Sequence, residues 1–226
     1  MLLKDYIPSA KKNLKTYFSG IAFNSSKVKR DNIFFAIKGS NFDGNKFIPT
    51  AIKKGCRVIV TDKKIKKKYN GILIIYTNNV RKLLAEVSFK IYKNLPKNLV
   101  AVTGTNGKSS VSDFFYQILK LNNTKVASIG TLGVKSDGIN FDLSNTTIDP
   151  IQLGRILNNL KEKGVDNVIM EASSHGLEQN RLDGLLFNLG IFTNFSQDHL
   201  DYHKNLDNYL KAKLYLFKNL IKKKGH

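Results

Sequence analysis

The stretch Val100-Ala101-Val102-Thr103-Gly104-Thr105-Asn106-Gly107-Lys108-Ser109-Ser110 decides the fold of this chain. A short apolar run ends in a turn with two glycines, and Lys-Ser follows the turn. Downstream of it, apolar residues recur with the spacing of a helix that faces a core, at Val111, Phe114, Phe115, Ile118 and Leu119. The order strand, glycine loop and helix is the context that a phosphate-binding loop requires.

The chemistry of this loop suits the phosphates of a nucleotide. Backbone N–H groups at a turn and at a helix N-terminus favour an anion. The Lys108 ammonium can reach the phosphates, and the Ser109 hydroxyl can bind Mg²⁺. The predicted nucleotide-binding residues are Gly104, Thr105, Asn106, Gly107, Lys108, Ser109 and Ser110. Val102 replaces the usual first glycine, so the loop is a variant, and a purely structural turn is the alternative.

Composition limits the class of protein. A chain of 226 residues with 42% hydrophobic and 24% charged residues is typical of one or two soluble globular domains. No apolar run approaches the ~20 residues of a membrane span, and the N-terminus lacks the apolar centre of a signal peptide. The single cysteine, Cys56, excludes an intrachain disulfide. We therefore expect a cytoplasmic protein.

The net charge of +20 raises the question of a nucleic-acid partner. Lysines spread over solvated faces explain the same charge, and neither an aromatic RNA-binding motif nor zinc-finger spacing accompanies it. Nucleic acid is therefore not the favoured partner. A basic P-loop ATPase that acts on nucleic acid stays as an alternative function.

The pattern of strands and helices predicts two domains. Before Pro96, a candidate boundary, we predict strands at 33–37, 57–61 and 72–76 and helices at 47–54 and 80–91. After it, we predict strands at 125–129, 168–170 and 189–193, a polar loop through Asp137, and helices at 150–163 and 206–221. The prediction is an α/β protein with a small domain over 1–96 and a P-loop domain over 97–226. The latter has a mostly parallel sheet covered by helices.

Ligands of such sheets bind at the carboxyl ends of the strands. Glu171 and Asn194 each follow a predicted strand, and Asp198-His199 comes shortly after. We expect Glu171 and His199 to converge on the phosphate end of a bound nucleotide, although Mg²⁺ prefers oxygen ligands to histidine. His175, in a loop, is a weaker candidate for which a structural role is the alternative.

Lys213 departs from the pattern of its helix. It falls on the apolar stripe of 206–221, where an inward ammonium is costly unless it is paired, neutral or modified. A lysine that extends past the core to solvent is the alternative.

Several motifs in one order resemble the Mur ligases of peptidoglycan synthesis. They are Thr103 to Ser109, Asn145-Thr146-Thr147, Met170-Glu171-Ala172-Ser173-Ser174-His175-Gly176-Leu177, Asn194 with Asp198-His199-Leu200-Asp201-Tyr202-His203, and Tyr209-Leu210-Lys211-Ala212-Lys213. Two stretches, Ser-Ser-His-Gly-Leu and the Asp-His-Leu-Asp-Tyr-His that begins at Asp198, are typical of the enzymes that add the third residue of the peptide. Folylpolyglutamate synthases share the variant loop but not these two stretches.

The resemblance implies an ATP-dependent amide ligase. Its partners would be UDP-MurNAc-L-Ala-D-Glu, which is activated as an acyl phosphate, and a diamino acid. The implied catalytic residues are Lys108, Lys213, Glu171 and His199. Mg²⁺ would be bound by Ser109, Glu171, His199 and Lys213, the last as a carbamate formed with CO₂. A monomer without a membrane partner is expected.

The resemblance also implies a substrate site. Its residues are Phe23, Ser25, Ser40, Asn41 and Phe42 for the uridine diphosphate, and Asn145, Thr146, Thr147, Ser173, Gln179 and Arg181 for the muramoyl dipeptide. Asn24-Ser25-Ser26 stands where the family has Asp-Ser-Arg, so an arginine contact is missing from the pattern. On composition alone, the loops at 23–27 and 38–44 are ordinary polar loops.

Members of the family continue beyond the position of His226 with the rest of the central sheet and a third domain. We therefore expect the central domain to be incomplete here, and this polypeptide to bind nucleotide and substrate weakly and without turnover. A catalytically incomplete nucleotide-binding fragment is the corresponding alternative function.

Overall fold

The computed structural model of the chain describes residues 1–7, 10, 15–39, 42–65, 67, 69–137, 139–141 and 147–226. The described chain forms two compact units, Met1–Ile91 and Tyr92–His226. The division lies shortly before Pro96, where the sequence predicted a boundary. In the described part of the chain, no helix has the length and apolar character to cross a membrane.

The first unit is a small parallel sheet with helices. Its elements are α1 (Leu3–Tyr6), β1 (Gly20–Ala22), β2 (Asn32–Phe35), α2 (Ile48–Lys53), β3 (Val58–Thr61), β4 (Leu73–Tyr76) and α3 (Val80–Ile91), with 3-10 turns at Ser25–Lys27 and Gly44–Phe47. The strand order is β1-β2-β3-β4, and all neighbours are parallel. Every residue of β2 and β3 is buried, as expected for central strands of a parallel sheet.

The second unit contains the loop with which the sequence analysis began. Its elements are β5 (Asn98–Thr103), α4 (Lys108–Leu121), β6 (Val126–Gly130), β7 (Gly133–Ser136), β8 (Ile139–Phe141), α5 (Pro150–Glu162), β9 (Asn167–Glu171), α6 (Ser174–Glu178), β10 (Leu189–Phe192), α7 (Leu200–His203) and α8 (Leu206–Tyr215). The strand order is β10-β5-β9-β6-β7-β8. The first four strands are parallel, and β7 and β8 extend the sheet as an antiparallel hairpin. The predicted α/β class with mostly parallel sheets is confirmed.

Local signals explain the bounds of α5. The Asp149 carboxylate accepts hydrogen bonds from the backbone N–H groups of Ile151 and Gln152, and Pro150 occupies the first helical position. Gly164, with a φ of +80°, follows the last turn, where a left-handed residue commonly ends a helix. These are the start and stop that the sequence predicted.

Three details differ from the prediction. On α4, Val111 and Phe115 pack against Val100, Val102 and Ile169, whereas Phe114 and Ile118 are exposed, because the sheet covers only part of the predicted stripe. The polar loop through Asp137 contains β7 and β8, which are too short to show a period-2 pattern. The last predicted helix changes at its end to a π-helical turn, Leu216–Leu220.

Candidate functional site

Two glycines shape the loop between β5 and α4. Gly104 has a φ of +147° and Gly107 a φ of +81°, both in the left-handed region. A Cβ at Gly104 would lie only 1.9 Å from Thr193 Oγ1, so no other residue fits there without a rearrangement. Val102, which stands in place of the usual first glycine, is a buried residue of β5. The loop proper therefore begins after Thr103.

The segment after β10 holds this loop in place. The backbone N–H of Thr105 donates to the Asn194 carbonyl at 3.0 Å, and that of Asn106 donates to Asn194 Oδ1 at 2.9 Å. Thr193 Oγ1 donates to the Asn106 carbonyl at 2.6 Å. The loop conformation thus depends on a neighbouring strand end as well as on its own glycines.

The loop forms one wall of a cavity of about 260 Å³ at the carboxyl edge of the sheet. All seven predicted nucleotide-binding residues line it, and so do Ser173, Glu171, His199 and Lys213. Residues from β9, from the turn before α7 and from α8 therefore meet at the start of α4.

Two lysines point into this edge. Lys108 Nζ donates to the carbonyls of Gly104 at 3.0 Å and Thr105 at 2.8 Å. Lys213 Nζ donates to the same Gly104 carbonyl at 2.6 Å and lies 4.3 Å from the centre of the Tyr209 ring. Lys213 is only 1% exposed, so it does not extend to solvent. Two ammonium groups therefore share one carbonyl.

Burial acts on the charge of both lysines. Burial, with a smaller contribution from the Lys108 charge, lowers the pKa of Lys213 to about 8. Burial also lowers the pKa of Lys108, and the carboxylates of Glu171 and Asp198 oppose that change. Part of the Lys213 population is consequently an uncharged amine near neutral pH.

Glu171 ends β9 as a buried carboxylate, 3% exposed. Its Oε1 accepts a hydrogen bond from the backbone N–H of Thr131 and its Oε2 accepts one from the Thr131 hydroxyl, both at 3.0 Å. A buried carboxylate requires such donors. The predicted position of Glu171 at the carboxyl edge of the sheet is what the structure has.

His199 lines the cavity, and two further histidines lie close to it. His199 has a left-handed φ of +52° and caps the start of α7. Its ring packs edge-to-face on His175 with centroids 4.9 Å apart, and His175 lies 4.0 Å from the Tyr202 ring. His203 is buried, and its Nε2 is 2.9 Å from Ser174 Oγ. Burial and the neighbouring histidines lower the pKa of His175, which is therefore not an isolated loop histidine.

Four predicted substrate residues form a hydrogen-bonded group beside the cavity. The Thr147 hydroxyl donates to the Glu171 carbonyl at 3.0 Å and accepts from the Ser173 backbone N–H at 3.0 Å. Arg181 Nη1 donates to the Thr147 carbonyl, and its Nη2 donates to Gln179 Oε1 at 2.8 Å. Asn145 and Thr146 lie outside the described residues.

The predicted uridine-diphosphate residues belong to the first unit. Phe23 directly follows β1, Ser25 begins the first 3-10 turn, and Phe42 lies in the loop after β2. Phe23 and Phe42 are both exposed. Ser40 and Asn41 lie outside the described residues.

Sequence reasoning missed three residues that line the cavity: Thr131, Ser174 and Tyr209. Thr131 comes just after β6. The rule that selected Glu171 looks for a polar residue directly after a predicted strand, and it would also have found Thr131. Ser174 and Tyr209 lie within the motifs of the sequence analysis, which assigns neither side chain a role in binding or catalysis. Tyr209 Oη lies 3.2 Å from Thr105 Oγ1 and thereby contacts the loop.

The predicted metal ligands fit Mg²⁺ by chemistry. Ser109 and Glu171 offer oxygen, the donor that Mg²⁺ prefers, on one cavity. Among the residues that the structure describes, no three His, Cys, Asp or Glu side chains are grouped to hold a metal ion. A complete site therefore needs the Ser109 hydroxyl, Lys213 or a ligand's own oxygens.

Comparison with protein families covers nearly the whole chain. The profile of the Mur ligase family catalytic domain matches residues 17–98. The profile of the Mur ligase middle domain matches residues 102–225.

Two curated relatives from different genera carry the same name. The UDP-N-acetylmuramoyl-L-alanyl-D-glutamate--2,6-diaminopimelate ligase of Rickettsia montanensis is 46% identical over 224 residues, which cover 94% of this chain and 46% of that protein. The protein of the same name from Clostridium tetani is 40% identical over 214 residues, which cover 92% of this chain and 44% of it. The chain thus spans about half the length of the curated relatives it matches.

Solved structures agree with the fold. A structure of a UDP-N-acetylmuramoyl-L-alanyl-D-glutamate--2,6-diaminopimelate ligase matches with a TM-score of 0.77 and 29% identity, over 92% of this chain and 43% of that one. The MurF ligase of Thermotoga maritima, solved in complex with ADP, matches with a TM-score of 0.58 and 22% identity, over 90% of this chain and 43% of its own.

Proposed function

The chain belongs to the Mur ligase family, and from this premise we propose that it serves an ATP-dependent amide ligase of peptidoglycan synthesis. The acceptor in this proposal is UDP-MurNAc-L-Ala-D-Glu, and the amino acid added is 2,6-diaminopimelate, because the relatives at 40–46% identity are named for that reaction. The reaction takes place in the cytoplasm in this proposal, and the protein acts as a monomer.

One observation carries the proposal. A single cavity unites a glycine loop at a helix start, a buried carboxylate and a buried lysine, namely the loop before Lys108, Glu171 and Lys213. An acyl phosphate forms when a carboxylate oxygen attacks the γ-phosphorus of ATP and ADP leaves, and the two reacting groups are anions that repel each other. A cavity lined with ammonium groups and helix-start amides lowers that repulsion.

In the proposed reaction, residues of the loop bind the nucleotide. The residues from Gly104 to Ser110 hold the phosphates, and Lys108 exchanges its bonds to the loop carbonyls for bonds to phosphate oxygens. Ser109, Glu171 and His199 would hold Mg²⁺, which would neutralise charge on the transferring phosphoryl group.

Lys213 completes this set as a carbamate in our proposal. With a pKa of about 8, roughly a tenth of the side chain is uncharged at pH 7. The uncharged amine attacks the carbon of CO₂, a C–N bond forms as one C–O π bond opens onto oxygen, and the nitrogen loses a proton to water, which leaves an anionic carbamate. An inward cation thereby becomes an oxygen ligand for a metal.

The substrate residues fall into two groups in the proposal. Thr147, Ser173, Gln179 and Arg181, with Asn145 and Thr146, bind the muramoyl dipeptide within a domain over 97–226. Phe23, Ser25 and Phe42, with Ser40 and Asn41, bind the uridine diphosphate within a domain over 1–96. The bonds among Thr147, Gln179 and Arg181 support the first group, because they hold a guanidinium in a fixed orientation.

Titration calorimetry with ADP tests the proposal. We expect Mg²⁺ to strengthen the binding of ADP to the 226-residue chain, and Lys108→Ala to weaken it about 100-fold, since one buried charged contact to phosphate is lost. Lys211→Ala, which removes an exposed lysine of α8, is the matched control and leaves the affinity unchanged. Equal affinities of the wild type and Lys108→Ala would overturn the assignment of the loop.

A further inference from the structure

Among the residues that the structure describes, Thr131 supplies two hydrogen bonds to the carboxylate of Glu171. Thr131 donates to Oε1 through its backbone N–H and to Oε2 through its hydroxyl, each at 3.0 Å. Two donors from one residue fix both the position and the rotation of the carboxylate plane. These bonds use two of the roughly four acceptor positions of an ionised carboxylate.

The backbone before Thr131 makes room for this arrangement. A Cβ added to Gly130 would lie 2.2 Å from Glu171 Oε1, so the carboxylate rests directly on a glycine. Strands β6 and β9 are parallel neighbours, and Ile129 pairs with Met170. The residues that follow this pair, Gly130 with Thr131 on one strand and Glu171 on the other, therefore meet at the carboxyl edge.

Both partners face the cavity at the start of α4. Glu171 is almost completely buried, and a buried carboxylate without donors is strongly disfavoured. The hydrogen bonds from Thr131 therefore stabilise a buried charge. A partner that orients a metal ligand typically changes metal affinity by about 10–100-fold when it is removed.

We propose that Thr131 is a positioning residue that orients the Glu171 carboxylate for Mg²⁺ in the cavity. This inference rests on the proposed function, in which Glu171 is a metal ligand. It assigns to Thr131 a role in the metal dependence of nucleotide binding, not in nucleotide binding as such. Gly130 supplies the space that this role requires.

The test compares ADP affinity with Mg²⁺ and with a chelator in the 226-residue chain, by calorimetry. The readout is the ratio of the two dissociation constants. Thr131→Val removes only the hydroxyl donor, and we expect it to lower the ratio about 10-fold while the affinity in chelator stays at the wild-type value. Thr131→Ser keeps the donor and retains the ratio. Thr124→Val, at a threonine whose hydroxyl donates to the nearby Asn122 carbonyl, is the matched control.

Titration with Mn²⁺ followed by electron paramagnetic resonance gives a second readout without nucleotide turnover. Thr131→Val is expected to weaken Mn²⁺ binding in the presence of ADP by the same factor. Thr131→Ala, which also lacks the hydroxyl but adds no bulk, replaces Thr131→Val if that variant fails to fold.

The outcomes separate this inference from the function on which it rests. An unchanged ratio in Thr131→Val, with a wild type that responds to Mg²⁺, overturns the role of Thr131 and leaves the proposed function standing. A wild type that binds no ADP, or binds it without any effect of Mg²⁺, overturns the proposed function and this role with it.

Discussion

The carboxyl edges of the two parallel sheets differ in what they bury. At the edge of the larger sheet, Glu171 and Lys213 are 3% and 1% exposed and lie on one cavity. At the edge of the smaller sheet, the predicted ligand residues include Phe42, which is 73% exposed. Buried ionisable groups are costly, and their concentration is typical of functional sites. This contrast supports the proposal that the chemistry takes place in the larger unit.

Several described polar groups at the smaller edge bond to one another. Asp43 bonds to Asn45 and forms an ion pair with Lys63, and the Thr61 hydroxyl donates to Asn45 Oδ1 at 2.6 Å. The bonds from Lys63 and Asn45 lower the pKa of Asp43 to about 2. Such bonds stabilise a loop, whereas the two ammonium groups on the Gly104 carbonyl leave positive charge for an anion to neutralise.

Glycine substitutions give the largest expected contrast between the two units. Gly104→Ala places a Cβ 1.9 Å from Thr193 Oγ1 at a φ of +147°, and we expect a loss of about 3 kcal/mol in the free energy of unfolding. Gly71→Ala, at a φ of +72° with no atom within 4 Å, keeps only the backbone strain and loses about 1 kcal/mol. Urea unfolding followed by circular dichroism measures both. Equal losses would mean that the loop is not braced as described.

We expect Lys213→Met to raise the free energy of unfolding, by less than Gly104→Ala lowers it. A pKa lowered from 10.5 to about 8 means that the folded state disfavours the protonated amine by about 3 kcal/mol. The lost bond to Gly104 offsets part of this, so we expect a gain of about 2 kcal/mol in the free energy of unfolding at pH 7. Buffers free of CO₂ keep the amine unmodified.

The pH dependence of that gain has a defined sign. Between pH 8 and pH 10.5 the unfolded wild type binds more protons at Lys213 than the folded state, so wild-type stability rises there relative to Lys213→Met. The advantage of the variant is therefore constant below pH 8 and shrinks above it. An advantage that grows with pH would contradict the buried, unpaired cation.

Most of the fold follows from local patterns in the sequence. Asp149-Pro150 and Gly164 bound a helix in both the prediction and the structure, and the apolar runs became parallel strands. The hairpin β7–β8 was not predictable, because three- and four-residue strands carry no clear period. The exposure of Phe114 likewise depends on how much of α4 the sheet covers, which spacing alone does not determine.

In the site, the rule about strand ends predicted the position of Glu171 at the carboxyl edge. Helical spacing placed Lys213 on the inward face of its helix. The bonds that hold the loop were not predictable, because Asn194 contacts Thr105 and Asn106 across a long sequence separation. Neither was the dependence of Glu171 on Thr131. These contacts exist only once β5, β6, β9 and β10 are neighbours.

The most direct test of the assignment to the larger unit is a map of amide chemical shifts in the 226-residue chain during titration with ADP and Mg²⁺. We predict that the amides of Gly107, Lys108, Ser109 and Thr131 change most, and that those of Phe23, Ser25 and Phe42 stay in place. Changes confined to the loops after β1 and β2 would contradict the account, because they would locate the nucleotide site in the smaller unit.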